Sequence, residues 1–168
     1  NPIINKQNQI IFNILEDSLK WFENNLNNDI RSKNYLENRN ISKNTIKHFK
    51  IGSSFNSQSS LYEHLKSLNY NDSDLLKSNV VKVDNNNNIR DFFYKRIIFP
   101  IFNEQNKIVG FGGRVLDNTN PKYINSPESY FFQKRNILYN LNLAKDSIRS
   151  KKNILICEGY MDVISLYE

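Results

Sequence analysis

Apolar residues recur at helical spacing through the first half of the chain and at strand spacing through much of the second. Ile10, Ile11, Ile14, Leu15, Leu19, Phe22 and Leu26 follow steps of three and four and predict one long amphipathic helix over residues 3–27. Tyr35 and Leu36 fall in a shorter helix near 30–38. Ser42 can cap another that carries Ile46 and Phe49, because its hydroxyl can accept from an unpaired N–H of the first turn. Ser60 to Leu65 and Asp72 to Leu76 suggest two more, so the first half is mostly helical.

The pattern changes at Val80. Residues 80–83 and 89–93 read as a pair of strands, with the run Asn85 to Asn88 as their turn. Residues 96–102 and 107–116 form a second apolar pair, joined by Asn103-Glu104-Gln105-Asn106. Pro100 has no N–H to donate, so its strand is expected to be an edge or to bulge there. A polar loop over 117–127 leads to a helix with Leu138, Leu141, Ala144 and Ile148. Ile154-Leu155-Ile156-Cys157 predicts a last buried strand over 153–158, which ends at Glu158 and hands over to a helix starting near Tyr160. The expected class is α/β: an α+β lobe with a helical first half and a mixed sheet, followed by a first βα unit.

Composition narrows the possibilities. The chain has 168 residues, 39% of them hydrophobic and 12% aromatic, enough for one medium domain or one domain with a fragment of another. Asparagine is in excess, at 29 residues, and carries no evident chemistry. One cysteine, Cys157, sits in an apolar run; a single buried thiol implies no disulfide framework and a reducing compartment. With only His48 and His64 beside it, a zinc site of the usual kind is excluded. No run approaches the length of a membrane span and no signal peptide is visible. The first residue, Asn1, suggests an excised or processed piece. The net charge of +6 is uneven: residues 122–152 hold seven basic side chains against two acids, which suits either a solvated surface or a phosphate-binding face.

Three segments carry candidate chemistry. In 107–116, Val109, Phe111, Gly113 and Val115 share one face, expected to meet the core. Gly110 and Gly112 lie on the other beside Arg114. That face is either a bare backbone shelf open to a sugar-phosphate chain or a twisted hairpin relieved by glycine. Pro121-Lys122-Tyr123-Ile124-Asn125-Ser126-Pro127 offers a cation, an aromatic ring and an amide within four residues, which suits a nucleotide as well as an ordinary loop. Lys134 and Arg135 follow two phenylalanines. Glu158, at a strand tip, can cap its own helix, act as a general base, or hold Mg²⁺ together with water and phosphates. Asp162, four positions on, falls on the same helical turn.

In order and at suitable spacing, Arg96-Ile97-Ile98-Phe99-Pro100-Ile101, Ile108 to Leu116, Pro121 to Glu128 and Glu158-Gly159-Tyr160-Met161-Asp162-Val163 resemble successive motifs of the bacterial-type (DnaG-type) DNA primases. Tyr35-Leu36-Glu37 and Phe49-Lys50-Ile51-Gly52 extend the likeness upstream. The resemblance implies the N-terminal lobe of a primase RNA-polymerase core over 1–150 and the start of a Toprim domain over 153–168. It implies synthesis of short RNA primers on single-stranded DNA from ribonucleoside triphosphates, with Mg²⁺ or Mn²⁺.

By the same resemblance, Glu158 matches the catalytic acid and a metal ligand, and Asp162 a second metal ligand. Lys122, Tyr123, Asn125, Arg114, Lys134, Arg96 and Lys33 match nucleic-acid or nucleotide contacts. The family's zinc belongs to an upstream module absent here, as are the downstream Asp-x-Asp acids, so this piece alone is expected to be inactive. A replicative helicase partner through other regions, no membrane, and a cytoplasmic or bacterial-derived organellar location also follow. Where the family tends to carry extra arginines before Arg96, this chain has Phe92, Phe93 and Tyr94. Another Toprim enzyme, either a primase–helicase fusion or a nuclease, and a non-catalytic nucleic-acid-binding module are the alternatives.

Overall fold

The computed structural model describes residues 2–55 and 59–168, with side chains from residue 7 onward. Helix α1 spans Pro2–Asn28, close to the expected 3–27. Proline at the first helical position loses nothing, because its N–H would be unpaired there in any case. The chain turns at Asp29, whose carboxylate caps α2 (Ile30–Asn38) through Ser32 N and also accepts from Ser53 Oγ at 2.6 Å. Ser42 caps α3 (Lys43–His48) as expected, and Gly52–Ser53 forms a short strand, β1. Ser60 and Glu63 make a reciprocal capping box on α4 (Leu61–Ser67), and Asn71 caps α5 (Asp72–Lys77).

Strands β2 (Val81–Val83) and β3 (Ile89–Asp91) form a separate hairpin. The main sheet has the order β1, β4 (Arg96–Phe102), β5 (Ile108–Val115), β6 (Tyr123–Asn125). Helix and sheet are combined as expected, but every strand pair described is antiparallel: short turns join β4 to β5 and β5 to β6, while β1 reaches β4 through a long connection that carries α4, α5 and the β2–β3 hairpin. Strand β4 is an interior strand of this order, yet Pro100 sits at a local edge, and the irregularity falls just beyond it. The two-residue β1 starts opposite Ile98, so β4 has only β5 beside it at Pro100, and the register slips between Ile101 and Phe102.

Both faces of this sheet are covered, which is why β4 and β5 are apolar without alternation. On one face Ile98 and Phe111 join Ile14, Leu15 and Phe22 of α1, and the Phe22 and Phe111 rings meet edge-on at 5.1 Å. On the other, Ile97 and Phe99 join Leu36 of α2, Phe49, and Met161 and Ile164 of α7 (Tyr160–Tyr167). Helix α6 (Leu141–Lys151) precedes that last segment. Helix α7 docks by a second contact, where Glu168 Oε2 accepts from Ser42 N at 2.9 Å and Tyr167 stacks on His48 at 4.4 Å.

The strand expected over 153–158 does not form. Residues 152–157 are without regular structure, and Leu155 and Ile156 are 74% and 73% exposed. Cys157 is half-buried rather than buried. A strand is stabilised by its neighbours, and no described strand pairs with this segment.

The asparagine excess has a conformational use. Among the described residues, six of the nine non-glycine residues with positive φ are Asn40, Asn69, Asn79, Asn87, Asn106 and Asn140, and no glycine has positive φ. Asparagine tolerates the left-handed region because its short polar side chain bonds locally, so here it ends helices and turns hairpins where glycine commonly would, and at Asn140 leads into the helix that begins at Leu141.

Candidate nucleic-acid interface

Strand β6 turns the Pro121–Pro127 loop into the edge of the main sheet, which periodicity did not anticipate. It pairs Tyr123 with Arg114 and Asn125 with Gly112. The Arg114 guanidinium lies 4.2 Å from the ring centroid of Tyr35, on α2, and 5.7 Å from that of Tyr123. Arg39 stands over the same Tyr35 ring at 5.5 Å. No carboxylate forms an ion pair with either arginine among the described residues. A desolvated cation over an aromatic face gains about 2 kcal/mol, enough to help keep Arg114 in place without an acid. Arg114 is 6% exposed and its buried Nε has no partner among the described residues. Burial pushes the Tyr123 hydroxyl pKa up, while Arg114 opposes the shift.

A cleft of about 730 Å³ opens beside this edge. Tyr123, Asn125, Lys151 and Ile154 to Gly159 all line it, so Glu158 shares one cavity with residues of the lysine loop. Tyr160 makes that juxtaposition. Its ring stacks on Phe99 at 5.2 Å, and its hydroxyl donates to Asn125 Oδ1 at 2.7 Å. Burial raises its pKa to about 12, so the phenol remains a donor at neutral pH. Glu158 is exposed and engaged by no hydrogen bond or ion pair among the described residues. Asp162 curls over Gly159 at the start of α7. These two carboxylates can donate to a Mg²⁺ ion that takes its other oxygens from water and phosphates, but the described residues contain no cluster of three or more metal-binding side chains.

The other expected residues divide. Lys122 is exposed just before β6. Lys134 is exposed in a short 3₁₀ turn (Lys134–Asn136), whose end lines a cavity with the β4–β5 turn, so it sits toward the opposite end of β5 from Lys122. Eight residues of strand separate those ends by roughly 25 Å. Lys33 donates its ammonium to Asn27 O at 2.8 Å and so ties α2 to the end of α1.

Arg96, expected to contact nucleic acid, is only 7% exposed and its guanidinium is occupied by backbone carbonyls. Of the two readings of the glycine face, relief of crowding is the one found. A Cβ on Gly110 would stand 3.2 Å from Ser126, and one on Gly112 would stand 2.6 Å from the Tyr160 ring, so the protein's own side chains fill that face. Arg39 escaped the sequence reading. Its signal was position i+4 from Tyr35, one helical turn away on the same face.

A family model described as the DNA primase catalytic core, N-terminal domain, matches residues 21–145. The DNA primase of Clostridium acetobutylicum is 37% identical over 159 residues, covering 94% of this chain and 26% of that protein. The chain therefore spans about a quarter of the length of the curated relatives it matches. Among solved structures, a DnaG primase catalytic domain bound to single-stranded DNA superposes with a TM-score of 0.86 at 30% identity, covering 97% of this chain and 53% of that one. The zinc-binding and RNA polymerase domains of Aquifex aeolicus primase superpose with a TM-score of 0.89 at 26% identity, covering 96% of this chain and 40% of that one. No helix among the described residues is long and apolar enough to cross a membrane.

Proposed function

The chain belongs to the DNA primase catalytic-core family, and on that premise we propose that it is the template-binding lobe of a primase, an enzyme that makes short RNA primers on single-stranded DNA from ribonucleoside triphosphates in the bacterial cytoplasm. The observation that carries this reading is the single cleft that Glu158 shares with Tyr123 and Asn125, beside two arginines that have no acid partner among the described residues. Residues 1–150 form the lobe, and 153–168 begin a Toprim domain in which 153–158 would gain strand neighbours in the parent enzyme.

In this reading exposed Lys122 and Arg39 meet phosphates from the solvent side, Tyr123 offers a half-exposed ring to a base, and Arg114 supplies positive charge from beneath. Lys134 and Lys33 contribute at more distant points. Asn125 acts through Tyr160, holding the start of α7, and hence Glu158, against the sheet edge. Glu158 assists removal of the proton from the primer 3′ hydroxyl, and with Asp162 it offers carboxylate oxygens to a divalent ion. Mg²⁺ or Mn²⁺, when bound, offsets charge on the attacking and leaving oxygens.

In the full-length enzyme, Glu158→Gln is expected to abolish primer synthesis and leave single-stranded DNA binding intact. Near-normal synthesis would end the catalytic assignment. In the chain itself, Lys122→Ala is expected to weaken oligothymidylate binding and to reduce the slope of log K against log salt by about 0.7, the value for one phosphate contact to a single strand. An unchanged slope removes Lys122 from the interface.

A further inference from the structure

Arg96 leaves β4 on the α1 side of the sheet and packs its stem under Gly113, where a Cβ would come within 3.0 Å of Arg96 Cδ. Its guanidinium then reaches the sheet edge. Nη1 donates to the carbonyls of Gly113 at 3.3 Å, Pro121 at 3.2 Å and Lys122 at 3.2 Å, and Nη2 donates to Pro121 at 3.2 Å. No carboxylate pairs with it among the described residues. Burial pulls its pKa down, with exposed Asp117 opposing from a distance. A buried cation without an acid partner costs more than an apolar side chain of the same length would, so the arrangement has to be explained by what it holds.

What it holds is the backbone of two segments. Gly113 belongs to β5; Pro121 and Lys122 lead into β6. The Lys122 carbonyl also accepts from Val115 N at 3.1 Å, so this peptide is fixed by two donors while the Lys122 side chain stays in solvent. The segment just before it is exposed, and its local bonding among the described residues is between Thr119 and Asp117, with Thr119 N donating to Asp117 Oδ1 at 2.9 Å. A planar guanidinium can serve carbonyls of two segments at once, whereas a lysine ammonium on a flexible stem cannot hold the same fork.

We propose that Arg96 is a positioning residue: it clamps the Pro121–Lys122 backbone to β5 so that Lys122 presents its side chain to single-stranded nucleic acid, and it makes no phosphate contact of its own. This rests on the nucleic-acid reading of the Lys122 loop.

A double-mutant cycle tests it. Oligothymidylate affinity would be measured across a salt series for the chain and for Lys122→Ala, Arg96→Met, Arg96→Lys and the double variant Arg96→Met with Lys122→Ala. Amide exchange at Lys122 and Tyr123 would be followed in parallel. Arg96→Met and Arg96→Lys are both expected to weaken binding by about the factor seen for Lys122→Ala and to speed exchange at both amides. In the Lys122→Ala background, Arg96→Met should add less than about a twofold loss, since residues that act through one contact are not additive.

Losses that multiply, a salt slope that falls further in the double variant, or near-normal binding by Arg96→Lys would each make Arg96 a direct phosphate contact and overturn the clamp. An inert Lys122→Ala would overturn it as well. If the unmutated chain fails to bind oligothymidylate, the proposed function falls, and unchanged exchange in the Arg96 variants then overturns the clamp separately. Where Arg96→Met does not fold, Arg96→Lys carries the comparison alone.

Discussion

Gly112 is small because the Tyr160 ring occupies the place of a side chain. A Cβ there would lie 2.6 Å from Cε2 and 2.7 Å from Cζ of that ring. The ring cannot swing aside cheaply, since it is stacked on Phe99 and tied to Asn125. Gly112→Ala is therefore expected to cost about 1–3 kcal/mol, the usual penalty for overpacking. Denaturant titration measures that loss, and a midpoint equal to that of the unmutated chain would show that the contact yields. The same residue shows how far sequence reading goes. Alternation along 107–116 placed Gly110, Gly112 and Arg114 on one face and Phe111 on the core face, and the structure agrees. It did not show that the glycine face is filled, because the filling residue lies 48 positions away and belongs to another element.

At the scale of elements, helix α4 depends on a distant acid. Asp91, at the end of β3, accepts from Leu61 N at 2.8 Å and Tyr62 N at 2.9 Å, taking two first-turn donors that the Ser60 box leaves unpaired. Asp91→Ala should lose about 1–2 kcal/mol, the loss typical of a removed cap. Burial raises the Asp91 pKa while those two N–H donors lower it, so the charge itself is disfavoured there. Asp91→Asn keeps an acceptor and sheds the charge, and should lose less. Urea unfolding of both variants checks the order, and equal losses would mean that the ionised form is what caps α4. The helices were legible because caps and apolar spacing are local: Ser42, Ser60 and Asn71 each cap the helix that begins at the next residue. Segment 153–158 has an equally clear apolar pattern and no ladder, because a strand's hydrogen bonds are made by other strands.

For the whole molecule, buried phenols set an alkaline limit. Burial raises Tyr160 from 10.0 to about 12; burial and then the bond to Asp17 raise Tyr70 to about 12; burial also pushes Tyr139 up. A phenol whose folded pKa exceeds its unfolded one adds stability that is complete below pH 10 and is lost as pH rises through about 12. Tyrosinate absorbance and helical circular dichroism should therefore change together in that window. Titration of these phenols near pH 10 with the helices intact would contradict it. The sequence alone determined the helices, the apolar strand pairs and the order of motifs that marks the family, because spacing and capping act between neighbours along the chain. Only the tertiary structure decided which cations face outward. Arg96 and Arg114 look as available as Lys122 in one dimension, yet the sheet buries both: one is spent on carbonyls and the other is stacked on two tyrosines. Burial depends on what distant segments lay over a residue, and no local pattern records that.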